Sequence, residues 1–447
     1  MRQCLSASIL CSSVLLSLGT HPVLATELVG RAVLPADTFS PGPTAGQLIT
    51  GDTNGRPVPF VNQQSVQGFS AVLPGPQNNE FQVLTDNGFG SKANSPDSLL
   101  RLWGVRANFT KFGNRRSGTV NPVDLQTGRR LDGFTAPSFI QLSDPNRQVN
   151  FPIVAEQTFY PGTTIPVDPS IQAGRLLTGA DFDLESFRQV ADGTFWFGEE
   201  FGPFLLHVAA TGEVLEPPIP LPNFLGLGSL PLVQSPDNPF LGTNTANLPR
   251  SRGFEGMALN ASGTKLFTLL EGPLLPDPNR NRLLIHEFDL ATKTFTGRVF
   301  SYRMENTTES GQSIGDMTAI NDEEFLIIER DSRQGDPNNP AFTNPAQFKR
   351  VYKININKLD ADGFVEKVLL VDLLNISDPR GIGGNGTTNG VFTFPFVTIE
   401  SVLPLNPRTL LIINDNNYPF SVGRTPGTPD DNEFIQVRLD QPLNLSR

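Results

Sequence analysis

The sequence predicts an all-β fold, on three observations. There are 41 glycines and 39 prolines among 447 residues, so the runs between breakers are short. No segment repeats apolar residues at i, i+3, i+4 and i+7 over three turns, which leaves little room for helix. One hairpin pattern, typified by "GFEGMALNASGTKLFTLLEGP" from Gly253 to Pro273, returns four more times along the chain.

Taken in chain order, the first 25 residues read as a secretory leader: Arg2, an apolar run from Ile9 to Leu18, and Val23-Leu24-Ala25 before the cut. The apolar run is too short and too interrupted by serine for a permanent span, and Leu10 before Cys11 does not suit a lipid anchor. Both cysteines, Cys4 and Cys11, lie in the leader, so residues 26–447 must cohere by core burial without disulfides or thiolate metal sites. Without Arg2 the mature chain carries 33 basic against 45 acidic residues, a net charge of −12. That balance argues against nucleic acid or anionic membrane as partners and favours a cation. The expectation is a single exported domain, periplasmic or extracellular, and monomeric.

After the leader, the strand Glu27 to Val33 is expected to pair with Glu433 to Asp440 and join the two ends of the chain. The recurring hairpins follow: Gly68 to Gly88, Asp181 to Gly202, Gly253 to Pro273, Ser313 to Asp331 and Thr398 to Asn417. Each has a short strand, a polar turn, a strongly apolar strand and then an acid. A second pair of strands follows several of them, as in Asn281 to Tyr302 and Phe348 to Leu373, so one unit is four antiparallel strands. Such units cannot bury both faces alone, whereas a radial array covers them, which predicts a β-propeller of five to six four-stranded blades. Residues 108–168 are harder to divide, forming either a sixth blade or a decoration of the first. Two insertions stand out, the Pro/Leu-rich Glu216 to Phe240 and the Gly-rich Asp378 to Phe396.

The repeat places an acid at the start of the hairpin, Glu185, Glu255, Asp316 and Glu400, with Ser70 in the first copy. It places another at the end: Asp86, Glu199 or Glu200, Glu271, Glu329 and Asp415. In a radial array a repeated acid becomes a ring of acids, and like charges that converge need a cation among them. Oxygen donors without cysteine suit calcium first and magnesium or manganese second. The candidate metal ligands are therefore Glu185, Glu200, Glu255, Glu271, Asp316, Glu400 and Asp415. Taken singly, any of these acids reads as readily as a turn acceptor for backbone N–H groups.

The stretches "DFDLES…FWFGEEFGPFLLHV", "RGFEGMAL…LFTLLEGPL" and "TIESVLPL…LLIINDNNYPF" resemble the phytase-like family of exported proteins, described as having esterase-like activity of phytase. The resemblance runs from about Gly68 to Phe420. It implies a propeller similar in architecture to the calcium-dependent phytases, and phosphomonoester hydrolysis as the activity. Such chemistry needs a bound divalent cation and basic groups for the phosphate oxygens. Glu255, Arg252 and Arg330 are the catalytic candidates, with Lys92 and Arg380 as further basic groups. The substrate is then a small phosphorylated or ester molecule.

Two alternatives stay open: a calcium-dependent lactonase or esterase using Glu255 with the "NDNN" run from Asn414 to Asn417, and a non-enzymatic binding propeller with a structural metal. "GQSIG" from Gly311 to Gly315 matches a nucleophile-elbow pattern, but it opens a β repeat instead of joining a strand to a helix. His207 and His286 read as strand residues.

Overall fold

A computed structural model of the protein describes residues 26–112, 117–305 and 311–446; the leader read from the sequence lies outside them. Strand dominates, and among the described residues the α-helix is a single turn and a half, Pro169–Gly174, started by Asp168 capping Ser170 N.

Three units are separate four-stranded antiparallel sheets. Unit two runs Leu184–Gln189, Phe195–Glu199, Phe204–Val208 and Ile219–Pro220. Unit three runs Phe254–Leu259, Lys265–Leu270, Arg282–Asp289 and Thr294–Arg303. Unit four runs Ser313–Ala319, Glu324–Arg330, Lys349–Leu359 and Val365–Asp372. Unit one takes Phe69–Pro74, Glu80–Thr85, Arg101–Asn108 and Gly118–Pro122. Within residues 108–168, Gly118–Pro122 is the fourth strand of unit one and Phe139–Gln141 pairs on its third, while Ile153 and Tyr160 pack in a core with Phe187 and Phe197 of unit two.

Unit five is completed by the other end of the chain. Its strands Ser401–Asn406, Thr409–Ile413 and Asn432–Arg438 receive the N-terminal strand Glu27–Leu34 antiparallel, from Glu27 opposite Arg438 to Leu34 opposite Asn432. The expected pairing of the chain ends is thus present. At its centre Arg31 donates to both carboxylate oxygens of Glu433 at 3.0 and 2.6 Å, and Arg424 donates to the same two at 2.9 and 3.0 Å.

The first strands pack side by side in a closed order: unit one on two, two on three, three on four, four on five, and five back on one. Between neighbours lies an apolar core. Leu266 and Leu270 face unit two, in the cluster of Trp196 and Leu205, while Phe267 and Leu269 face unit four, in the cluster of Met317 and Ile327. Alternate residues of one strand thus serve two different cores, which is why these strands read as unbroken apolar runs instead of alternating ones. Burial fades outward: Lys265–Leu270 is almost wholly buried, whereas Thr294–Arg303 at the rim is mostly exposed or half-buried. At the axis the strands approach so closely that a Cβ on Gly256 would crowd Met317 Cβ, and one on Gly315 would overlap the carbonyl oxygen of Ile399.

Within the Pro/Leu-rich insertion, Phe240 packs on Phe151 and Phe204, and Phe224 lies against His286. His207 and His286 sit in strands, as the sequence predicts.

Candidate metal centre

A β-bulge opens the first strand of each of units one to four. The ladders skip Ser70, Glu185, Glu255 and Gly315, leaving each unpaired opposite the second strand. A bulge re-aims the side chain it carries, and Glu400 takes the corresponding place just before Ser401–Asn406 in unit five. The second strand ends, in register with these, at Asp86, Glu200, Glu271, Arg330 and Asp415.

This register corrects the sequence reading in unit four by one residue. Ile314 pairs with Glu329 and Asp316 with Ile328, so Gly315 holds the bulge and Arg330 stands where the other units carry an acid. Asp316 consequently points elsewhere: it accepts from Met317 N at 2.7 Å and Val402 N at 2.9 Å, with Arg188 of unit two 3.5 Å away. Glu329 faces the outer side and is saturated by Tyr302 Oη, Gln312 Nε2 and Glu305 N, each at 2.6 Å, and by Lys367. Gly315 is required where it stands, because no side chain fits against Ile399.

The remaining acids converge. Asp183, Glu185 and Glu200 each offer an oxygen within 4.8 Å of the others, as do Glu185, Glu255 and Glu400, and Glu200, Glu255 and Glu271. Asp86 and Asp415 stand close enough to raise each other's or their neighbours' pKa. Eight carboxyl groups, all at most 8 % exposed, thus face two guanidinium groups, Arg330 and Arg252. Fully ionised, they would leave six negative charges in excess.

Burial first, and then like charge, raises the pKa values of Asp86, Asp183, Glu185, Glu200, Glu255, Glu400 and Asp415. Glu185, Glu200 and Glu255 are pushed well above the carboxylate range, Glu400 to about 8, and Asp183 and Asp415 to about 6. Arg330 is buried too, which alone would lower its pKa, but Glu400, Glu271 and Glu255 more than offset that. Its Nη2 lies 3.0 Å from Glu400, 3.3 Å from Glu271 and 3.8 Å from Glu255. Within this cluster three carboxylate oxygens stay buried without a hydrogen-bond partner: Asp183 Oδ1, Glu200 Oε1 and Glu255 Oε1. A buried charge without a partner is costly, so an oxygen-preferring cation fits this donor set.

Of the basic candidates, Arg252 pairs with Glu271 and keeps a third of its side chain exposed. Lys92 reaches the carbonyl of Asp237 at 3.4 Å in the Pro/Leu-rich insertion. Arg380 lies away, on Glu27 and the Leu28 carbonyl at the joined chain ends. Ser313 Oγ donates to Glu271 Oε1 at 2.6 Å, as a partner of the acid. In the "NDNN" run, Asn414 accepts from Glu433 N and Asn416 from Gly68 N, so both are engaged locally.

Asp183 escaped the sequence reading. It occupies the place held by Gly68, Gly253 and Ser313 in other units, opposite the terminal acid position. Its signal was the i, i+2 spacing to Glu185 in "DFDLES", which puts both on one face of a strand.

A family model described as phytase-like, esterase-like activity of phytase, matches residues 64–418. A protein of Arthroderma benhamiae, described as an uncharacterized secreted protein, is 26 % identical over 266 residues, covering 52 % of this chain and 48 % of its own length. The chain therefore spans about half the length of that curated relative. Among solved structures, an arabinanase of Bacillus subtilis aligns at 10 % identity over 84 % of this chain and 95 % of its own, with a TM-score of 0.35. Regucalcin of Agrobacterium tumefaciens, a calcium-binding protein, aligns at 12 % identity over 78 % and 89 %, with a TM-score of 0.28. No helix among the described residues is long and apolar enough to cross a membrane.

Proposed function

The chain belongs to the phytase-like family, and from that premise we propose that it is an exported phosphomonoesterase whose centre is the axial acid cluster and whose activity needs a divalent cation, calcium first. The architecture we assign is a five-bladed β-propeller, from the closed order of the five first strands. The carrying observation is the set of buried oxygens without a hydrogen bond on Asp183, Glu200 and Glu255 inside a cluster of excess negative charge. The secreted description of the fungal relative and the acidic mature chain support export.

Asp183, Glu185 and Glu200 would hold the cation, with Glu255, Glu271, Glu400 and Asp415 around them. When bound, the cation neutralises phosphate oxygens and acidifies water. Arg252, at the rim and partly exposed, holds a phosphate oxygen while its other contact stays on Glu271. Glu255, whose pKa burial and neighbouring carboxylates raise, is the base that would accept the proton of the attacking water as its oxygen bonds to phosphorus. Arg330, enclosed by three carboxylates, supplies counter-charge instead of a phosphate contact.

Hydrolysis of an aryl phosphate, an aryl acetate and a lactone, each with and without chelator, tests the assignment. Phosphatase turnover lost on chelation and regained with calcium is expected. Turnover that survives both chelation and Glu255→Gln rejects it. A second reading, a cation that only holds the units together, is favoured by the near-complete burial of all eight carboxyls. It predicts calcium binding with no turnover on any of the three substrates.

A further inference from the structure

We propose that the cluster is divided in two: Asp183, Glu185 and Glu200 take one exchangeable divalent cation, and the Arg330 guanidinium permanently fills the place of a second. This rests on the reading that the cluster binds a divalent cation, and it adds where the ion sits and why only one enters.

The five units differ in a directed way. Unit two adds an acid, Asp183, where units one, three and four carry Gly68, Gly253 and Ser313. Unit four removes two, with Gly315 on the bulge and Arg330 at the terminal position. The carboxylates are thereby concentrated at unit two and the fixed positive charge at unit four.

Charge pairing follows the same division. Glu400 and Glu271 both accept from Arg330 Nη2, and Glu255 lies 3.8 Å from it. Ser70 adds a donor to Glu400 at 3.2 Å, and Ser313 one to Glu271 at 2.6 Å. Asp183, Glu185 and Glu200 make no ion pair among the described residues, and Arg252 reaches Glu200 only at longer range. Two of these three acids hold the unpartnered oxygens Asp183 Oδ1 and Glu200 Oε1, on residues 3 % and 4 % exposed. Their oxygens, within 4.8 Å of one another, span what ligands about 2.3–2.6 Å from a calcium ion span across it.

A guanidinium tethered in the fold does for Glu255, Glu271 and Glu400 what a second ion would do, without an equilibrium to satisfy. All three carboxylates gather at one of its nitrogens, Nη2, at 3.0–3.8 Å.

Native mass spectrometry and titration calorimetry with calcium chloride on chelator-stripped protein read this directly. The wild type is expected to take one ion, and Arg330→Gln two. Glu200→Gln should weaken the ion by roughly 100-fold or more, since it removes a ligand, whereas Glu400→Gln should keep it within about tenfold because Glu400 serves Arg330. That second pair of variants leaves Arg330 untouched, so it decides the matter even if Arg330→Gln does not fold. Two ions on the wild type, or equal loss in Glu200→Gln and Glu400→Gln, overturn the division. No ion on the wild type removes the metal reading itself. One ion without phosphate hydrolysis removes only the enzymatic assignment.

Discussion

Arg330 donates from Nη2 to Glu400 Oε1 at 3.0 Å, across the junction of units four and five, from the place where every other unit carries an acid. Together with Gly315 on the same unit's bulge and the added Asp183 in unit two, this exchange turns a ring of like charges into a polar one, acid-rich at unit two and balanced at unit four.

Calcium should stabilise the folded chain. Free ion at 100 times its Kd adds about 2.7 kcal/mol when only the native state binds. Calorimetric melting in chelator and in millimolar calcium measures it, and an unchanged Tm would sink the cation site.

Glu255→Gln separates chemistry from stapling. Removing one of several converging like charges should leave the cation-free Tm equal or higher, because burial and the neighbouring carboxylates disfavour the charge of Glu255, while phosphatase kcat falls by about 100-fold or more. A lower Tm with calcium bound and no phosphatase activity to lose would identify a structural ligand.

Asp316 should prove structural. It holds the buried Arg188, which also donates to the Met317 carbonyl at 2.6 Å. Asp316→Ala leaves that guanidinium without its counter-charge, at a cost of about 3–5 kcal/mol, with calcium affinity nearly unchanged. Denaturant melts and calcium titration on the same variant check both halves.

Gly315→Ala forces a Cβ into the Ile399 carbonyl oxygen. Overpacking of this kind costs about 1–3 kcal/mol, and since the clash lies between units four and five it should loosen the Arg330–Glu400 contact as well. A melt within 0.5 kcal/mol of wild type (about the scatter of surface substitutions) would refute the close approach.

The joined chain ends carry an acid-sensitive pair. Burial would raise Glu433, but Arg31 and Arg424 hold it down to about 2. A folded pKa below the unfolded one stabilises the chain above the unfolded value near 4.5, and that stability is lost as pH falls from there through about 2. Stability measured from pH 6 to 2.5 should fall for the wild type, and Glu433→Gln should start lower and lack this component of the fall. An equal slope in both proteins would contradict it.

The sequence by itself determined the β units and the existence of a recurrent acid, because these are local: short apolar runs between breakers, and a hairpin whose residues lie within about twenty positions of each other. The join of the chain's two ends is not local, and it followed from the need of a radial array of units to close. The sequence also named Glu185, Glu200, Glu255, Glu271, Glu400 and Asp415 as one set, which the fold brings to one axis. It misassigned Asp316 and overlooked Asp183. Both depend on where each bulge falls in the ladder, and a shift of one residue sends a side chain to the opposite face. Only the tertiary structure decided that Arg330 and the carboxylates of four units share one buried volume. That volume is formed by strands far apart in sequence, and the spacing between them leaves no periodic trace in any single segment.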